Sequence, residues 1–147
     1  MTLIWLLVLA GCGRYGSPVP PDDIRPDQVR NFRIDGSTSG LQLNWTSPAS
    51  RVSGGSLDDL DGFSISKAVV TNSERGSFEI IAKVRYQTDK GVSGLGEALL
   101  FRDQDVVPGA TYDYFVAAYT TGRLKGLPSN ILRVTFKGSS SEVEALN

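Results

Sequence analysis

From Val29 to Lys137 apolar side chains recur at every second position, and no stretch of useful length carries the period of a helix. A strand turns successive side chains to opposite faces, so this pattern describes strands with one face buried. Seven runs carry it. They are Phe32 and Ile34; Leu41, Leu43 and Trp45; Phe63 and Ile65; Phe78, Ile80 and Ala82, interleaved with Ile81 and Val84; Leu99, Leu100 and Phe101; Tyr112, Tyr114, Val116 and Ala118; and Leu132, Val134 and Phe136. Turn-forming residues fill 36–40, 47–56, 71–77, 89–96, 108–109 and 121–128 between them. Short strands at such spacing predict an all-β sandwich.

Composition supports a packed domain and removes several kinds of chemistry. Of 147 residues, 40% are hydrophobic and 9% aromatic, enough for a core. Lys plus Arg is 15 and Asp plus Glu is 16, so no excess of positive charge predicts a nucleic-acid partner or a polybasic membrane patch. There is no histidine, which excludes Ser-His-Asp and Cys-His catalysis and imidazole metal sites. The single cysteine, Cys12, allows neither an intrachain disulfide nor a thiolate zinc cluster. No Gly-x-Ser-x-Gly elbow is present, and the Gly-x-x-Gly-x-Gly of residues 91–96 lacks the Lys-Ser of a phosphate loop. Asp58, Asp59 and Asp61 are the densest carboxylates; without an EF-hand pattern they read as a solvated loop, with a weak calcium site as the competing reading. No cofactor and no enzymatic activity are expected.

The amino-terminal residues differ from the rest. Residues 3–10 are all apolar, too short to cross a bilayer, which needs about 20, and suited to the hydrophobic part of an export signal. Leu9-Ala10-Gly11-Cys12 resembles the bacterial lipobox, a Leu and two small residues before Cys. The resemblance implies cleavage before Cys12 and acylation of its thiol and new amino group, and two or three acyl chains anchor a protein stably. No Lys or Arg precedes the apolar run, and a core segment that ends in Cys is the competing reading. Gly13 stands where an inner-membrane retention Asp would be, which by the same resemblance implies the outer membrane. Residues 1–11 are thus read as a signal peptide and 12–28 as the lipidated Cys and a linker, in which four prolines exclude helix and central strand and Pro18, Pro20 and Pro21 favour an extended spacer. The start Cys12-Gly13-Arg14-Tyr15-Gly16-Ser17-Pro18 also resembles some very small outer-membrane lipoproteins, one of which associates with the lipopolysaccharide-export translocon; this makes Arg14 and Tyr15 candidate contacts beside the plain-spacer reading.

Within residues 29–137, Leu41-x-Leu43-x-Trp45, Gly62-Phe63-x-Ile65 and Val106-x-Pro108-Gly109-x-x-Tyr112-x-Tyr114 resemble a fibronectin type III domain, a seven-stranded immunoglobulin-like sandwich. Ser129-Asn130-Ile131 resembles the approach to that family's last strand, while Phe63 replaces its usual Tyr and the loop over residues 47–61 is longer than typical. The resemblance implies that Trp45 is the core tryptophan and that the Tyr112 hydroxyl returns to nearby backbone. Arg123, Leu124 and Lys125 then lie on the hairpin between the last two strands, as two cations around an apolar tip for an acidic partner or as an ordinary polar turn. Phe115 and Tyr119 fall in the outward phase of their strand and would give one sheet an aromatic face. Residues 138–147, rich in serine and glutamate, read as a flexible tail.

These residues together predict a membrane-anchored envelope lipoprotein that displays a protein-interaction or scaffolding module, with a protein partner or a glycan. An envelope-assembly accessory acting through Cys12 to Pro21 is the alternative, and would survive deletion of residues 29–137. A carbohydrate-active enzyme is the distant one.

Overall fold

The computed structural model describes residues 20, 23–86 and 96–146. The signal-peptide and lipidation readings, Cys12, Arg14, Tyr15 and most of the 91–96 loop lie outside them.

Ten strands follow in order: β1 (Arg30–Ser37), β2 (Gly40–Thr46), β3 (Leu60–Thr71), β4 (Glu74–Arg75), β5 (Glu79–Arg85), β6 (Ala98–Asp103), β7 (Thr111–Thr120), β8 (Lys125–Pro128), β9 (Ile131–Phe136) and β10 (Ser141–Leu146). β1, β2 and β6 form one antiparallel sheet, with β2 central. The other runs β10-β9-β7-β3, with β5 and the short β4 on the far side of β3 and β8 paired to β7. The expected seven strands are β1, β2, β3, β5, β6, β7 and β9; β4, β8 and β10 are additions.

The predicted alternation packs the two sheets together. Phe32, Ile34, Leu41, Leu43 and Trp45 meet Phe63, Ile65, Tyr114, Val116, Ala118, Leu132, Val134 and Phe136 in one buried cluster. Trp45 is 1% exposed, and its ring sits edge-on to Phe63 at 5.5 Å. The Tyr112 hydroxyl accepts the Val107 N–H at 2.9 Å, across the turn at Pro108 and Gly109, as the sequence resemblance implied.

Lys67 and Asp103 also stand in the inward phase, level with Phe63 and Ile65 and with Leu99 and Phe101. Their side chains are 9% and 6% exposed, and Nζ lies 2.8 Å from the Asp103 carboxylate. Tyr114 donates its hydroxyl to the same carboxylate at 2.7 Å, and Lys67 also donates to the Asp105 carbonyl. Burial and the adjacent Asp103 carboxylate push the Tyr114 hydroxyl far above the ordinary phenol range. This ionic cluster ties β3 and β7 of the larger sheet to β6 of the smaller.

Three expectations are corrected. The flexible tail expected over residues 138–147 contains a strand instead: β10 pairs with β9 from Ser141↔Phe136 to Leu146↔Ile131. Ladder hydrogen bonds use backbone only, so a polar sequence does not forbid them. Gly36 of β1 makes room for this return, since a Cβ there would lie 2.6 Å from the Ser141 nitrogen. The linker is likewise shorter than residues 12–28. Asp27 donates to the Ser50 carbonyl at 3.0 Å, Val52 to that of Arg25 at 2.9 Å, and Leu127 to that of Pro26 at 3.1 Å, so the chain joins the domain from Asp23 onward. Proline lacks an N–H but still accepts, and Pro26 is fully buried. Finally, the run Phe78, Ile80, Ala82 does not keep one face. A bulge pairs Ile65 with Ala82 but Ser66 with Ile80, so Ala82 and Val84 pack on the core while Ile80 is 52% exposed.

Candidate functional site: a cationic groove on the larger sheet

The outer face of the larger sheet has a low floor between two walls. β3 turns Gly62, Ser64 and Ser66 outward, each small, opposite Tyr119, Ala117 and Phe115 of β7 and opposite Arg85, Lys83 and Ile80 of β5. The Tyr119 ring lies over Gly62, where a Cβ would meet its hydroxyl at 2.7 Å. Glycine is required there by close approach. The resulting groove, about 680 Å³, is lined by Asp61, Ser64, Ile80, Lys83, Arg85, Tyr119, Arg123 and Lys125. Lys125 also borders a smaller hollow of about 380 Å³ with Phe115, Pro128 and Ile131.

Arg123 and Lys125 reach this groove from the β7–β8 hairpin. Arg123 donates its N–H to the Thr120 carbonyl at 2.8 Å, and Thr120 donates to the Leu124 carbonyl at 3.1 Å. Arg123 has a φ of 62°, a left-handed conformation that costs an L-residue about 1–2 kcal/mol. Leu124 is half-buried and gives its N–H to Thr120 Oγ1 at 3.2 Å, so it is a turn residue rather than an apolar tip. The structure thus gathers Phe115, Tyr119, Arg123 and Lys125 on one face and leaves Leu124 out of the groove lining. Lys83, Arg85 and the small floor residues were not singled out from sequence, because the phase of β5 depends on its bulge.

Four cations face one carboxylate in the groove, and among the described residues none of Lys83, Arg85, Arg123 and Lys125 has an ion-pair partner. Two sit near rings instead: Lys125 Nζ is 5.5 Å from the centre of Phe115, and Lys83 Nζ is 6.0 Å from that of Tyr119. These distances are at the reach of a cation–π contact. Burial and then the Asp61 charge raise the Tyr119 hydroxyl above its ordinary value, against the opposing pull of Arg85. Ser64 Oγ donates to the Ala117 carbonyl at 3.3 Å, with no base among the described residues placed to activate it. Such a face carries an excess of positive charge; it holds no nucleophile–base pair for catalysis among the described residues.

The other end of the same face is neutralised from within. Asp113 has a fully buried side chain, and its carboxylate accepts from Arg133 Nε at 2.8 Å, Arg133 Nη2 at 2.9 Å and Arg75 Nε at 2.6 Å. Arg75 also lies 5.3 Å from the Phe78 ring, and Phe78 packs edge-on to Phe115 at 4.8 Å. Burial alone would raise the Asp113 carboxyl, but Arg133 and Arg75 outweigh it and hold the group below its usual 3.8. A depressed folded-state pKa contributes stability that is present above the unfolded value and lost as pH falls through the folded one. Thermal melts taken from about pH 7 down to about pH 2 should therefore show acid destabilisation. Asp113→Asn should flatten that acid limb; an unchanged pH profile would remove Asp113 as its source.

The acidic loop does not gather a metal site. Asp59 pairs with Arg51 at 2.6 Å, Asp58 accepts from Ser56 Oγ at 2.7 Å, and no group of three ligating side chains converges among the described residues.

With both sheets in place, solved structures give the comparison. The twitchin kinase region from C. elegans, a fragment running from Fn31 to Ig26, matches 78% of this chain over 17% of its own, with a TM-score of 0.54 and 22% identity. The third fibronectin III domain of the human KIAA0343 protein matches 87% of this chain over 95% of its own, with a TM-score of 0.52 and 15% identity. The domain has a fibronectin type III-like fold. No family model and no curated protein matches the sequence. In this fibronectin-like frame the groove occupies the sheet built on β3 and β7, and the Lys67–Asp103 cluster lies between the sheets toward the Asp113 end of β3.

Proposed function

We propose that this chain is a lipoprotein, tied to the outer membrane through acyl groups on Cys12, that presents its fibronectin type III-like domain as a non-enzymatic protein-interaction module in the cell envelope. The observation that carries the interaction role is the groove itself. Four cations without an ion-pair partner among the described residues, together with two aromatic rings, lie on one face, where a partner would meet charge and apolar surface together. The support for the anchor is the Leu9-Ala10-Gly11-Cys12 motif and the proline-bearing residues after it.

Metabolic labelling with a palmitate analogue tests the anchor. Wild-type protein should carry label and sediment with membranes, whereas Cys12→Ala should lose both. Label that persists without Cys12 rejects the anchor. Mild cross-linking in membranes should then enrich one protein with the wild type and lose it with Lys125→Glu. Equal capture by both proteins counts against the groove as the binding face.

A further inference from the structure

The geometry points to an extended, acidic peptide segment, with carboxylates on alternate residues, as the ligand of the groove between β5 and the β7–β8 hairpin. This deepens the interaction role proposed above and rests on it.

Charge complementarity gives the sign. Lys83 and Arg85 on one wall and Arg123 and Lys125 on the other exceed the single Asp61, and no internal partner neutralises them among the described residues. Asp113, on the same sheet face, shows what this surface does with a carboxylate when one is present: it is held between two guanidinium groups and fully buried.

Spacing gives the shape. Lys83 and Arg85 are two residues apart on one face of β5, hence about 6.8 Å from each other. An extended chain repeats its side chains on one side at that same interval, so carboxylates at alternate positions meet successive cations. Between the walls β3 contributes only the small side chain of Ser64 to the lining, which leaves room for such a chain.

The walls also distinguish a peptide from a purely anionic polymer. Ile80, 52% exposed, and the Tyr119 and Phe115 rings interrupt the cations with apolar surface. A polyphosphate or sulfated glycan would leave these unmatched, whereas apolar side chains of a mixed peptide cover them.

The test uses the full chain in detergent and a short fluorescein-labelled peptide of alternating glutamate and leucine, followed by fluorescence anisotropy. Binding should be saturable and weaken as salt rises. The double variant Lys83→Glu/Arg85→Glu should lose about tenfold or more in affinity, and Lys125→Glu should also weaken binding. Arg33→Glu, on the smaller sheet, should leave binding unchanged. Circular dichroism of each variant should match the wild type, because all four side chains are on the surface; a variant that misfolds is replaced by the corresponding alanine.

Absence of peptide binding, or binding indifferent to the groove variants, overturns the assignment. So does tighter binding of polyphosphate or a sulfated oligosaccharide than of the peptide. If the peptide fails while membrane cross-linking still depends on Lys125, the peptide assignment falls and the interaction role stands. If both fail, the role falls with it.

Discussion

Lys67→Met should destabilise the domain by about 3–5 kcal/mol, as breaking a buried ion pair from one side does. The Asp103 carboxylate, 6% exposed, would keep the Tyr114 hydroxyl and the Asp105 N–H but lose the cation paired with it. The Asp105 carbonyl would lose a donor as well. Methionine fills a similar volume, so the loss reports charge rather than a cavity. Urea unfolding, with midpoint and slope fitted separately, measures it. Removing the three polar side chains together, as Lys67→Met with Asp103→Leu and Tyr114→Phe, should recover much of the stability, because no buried charge is then left unpaired. A neutral single variant would mean that water reaches the pair.

Trp45→Ala should cost about as much, roughly 3–5 kcal/mol, by a different route. Here the loss is contact area, the edge-on packing against Phe63, and a cavity that the two sheets cannot close. Since a domain is typically stable by only about 5–15 kcal/mol, this brings the fold close to failure. The melting temperature should fall by about 10 °C or more. Trp45→Phe is the informative companion. Trp45 Nε1 has no hydrogen-bond partner among the described residues, so phenylalanine deletes an unsatisfied donor while keeping most of the ring and should cost clearly less. An unchanged melting temperature in Trp45→Ala would place the residue outside the core.

The sandwich and its core were legible in the sequence because burial on one face imposes a period of two, and the role of Tyr112 because Val106-x-Pro108-Gly109-x-x-Tyr112 resembles the fibronectin type III motif. Other features depended on relations between strands. The alternation puts Lys67 and Asp103 inside, but only the stacking of β3 over β6 brings the two charges together. Asp113 falls in the outward phase beside Phe115, and its burial comes from Arg133 directly across in β9 and Arg75 in β4. Phe115 and Tyr119 were readable as candidates because their strand alternates cleanly, and Arg123 and Lys125 because they stand on the hairpin that follows it. Their fellow groove residues Lys83 and Arg85 were not, because a single bulged residue near Ile81 sets which way β5 faces. The pairing of residues 141–146 was hidden for a further reason: Glu and Ser are poor signals of a strand whose hydrogen bonds ask nothing of its side chains.

That last strand changes where the chain can safely be cut. Stopping at Lys137, where the apolar pattern ends, would strip β10 from β9 and bare a row of N–H and C=O groups beside Leu132, Val134 and Phe136. An uncovered apolar edge of this kind templates pairing between molecules and so invites aggregation. With β10 in place the outermost strand instead carries Glu142 and Glu144, whose like charges repel a second copy approaching edge to edge. A short acidic segment that buries almost nothing thus protects the solubility of the domain it borders.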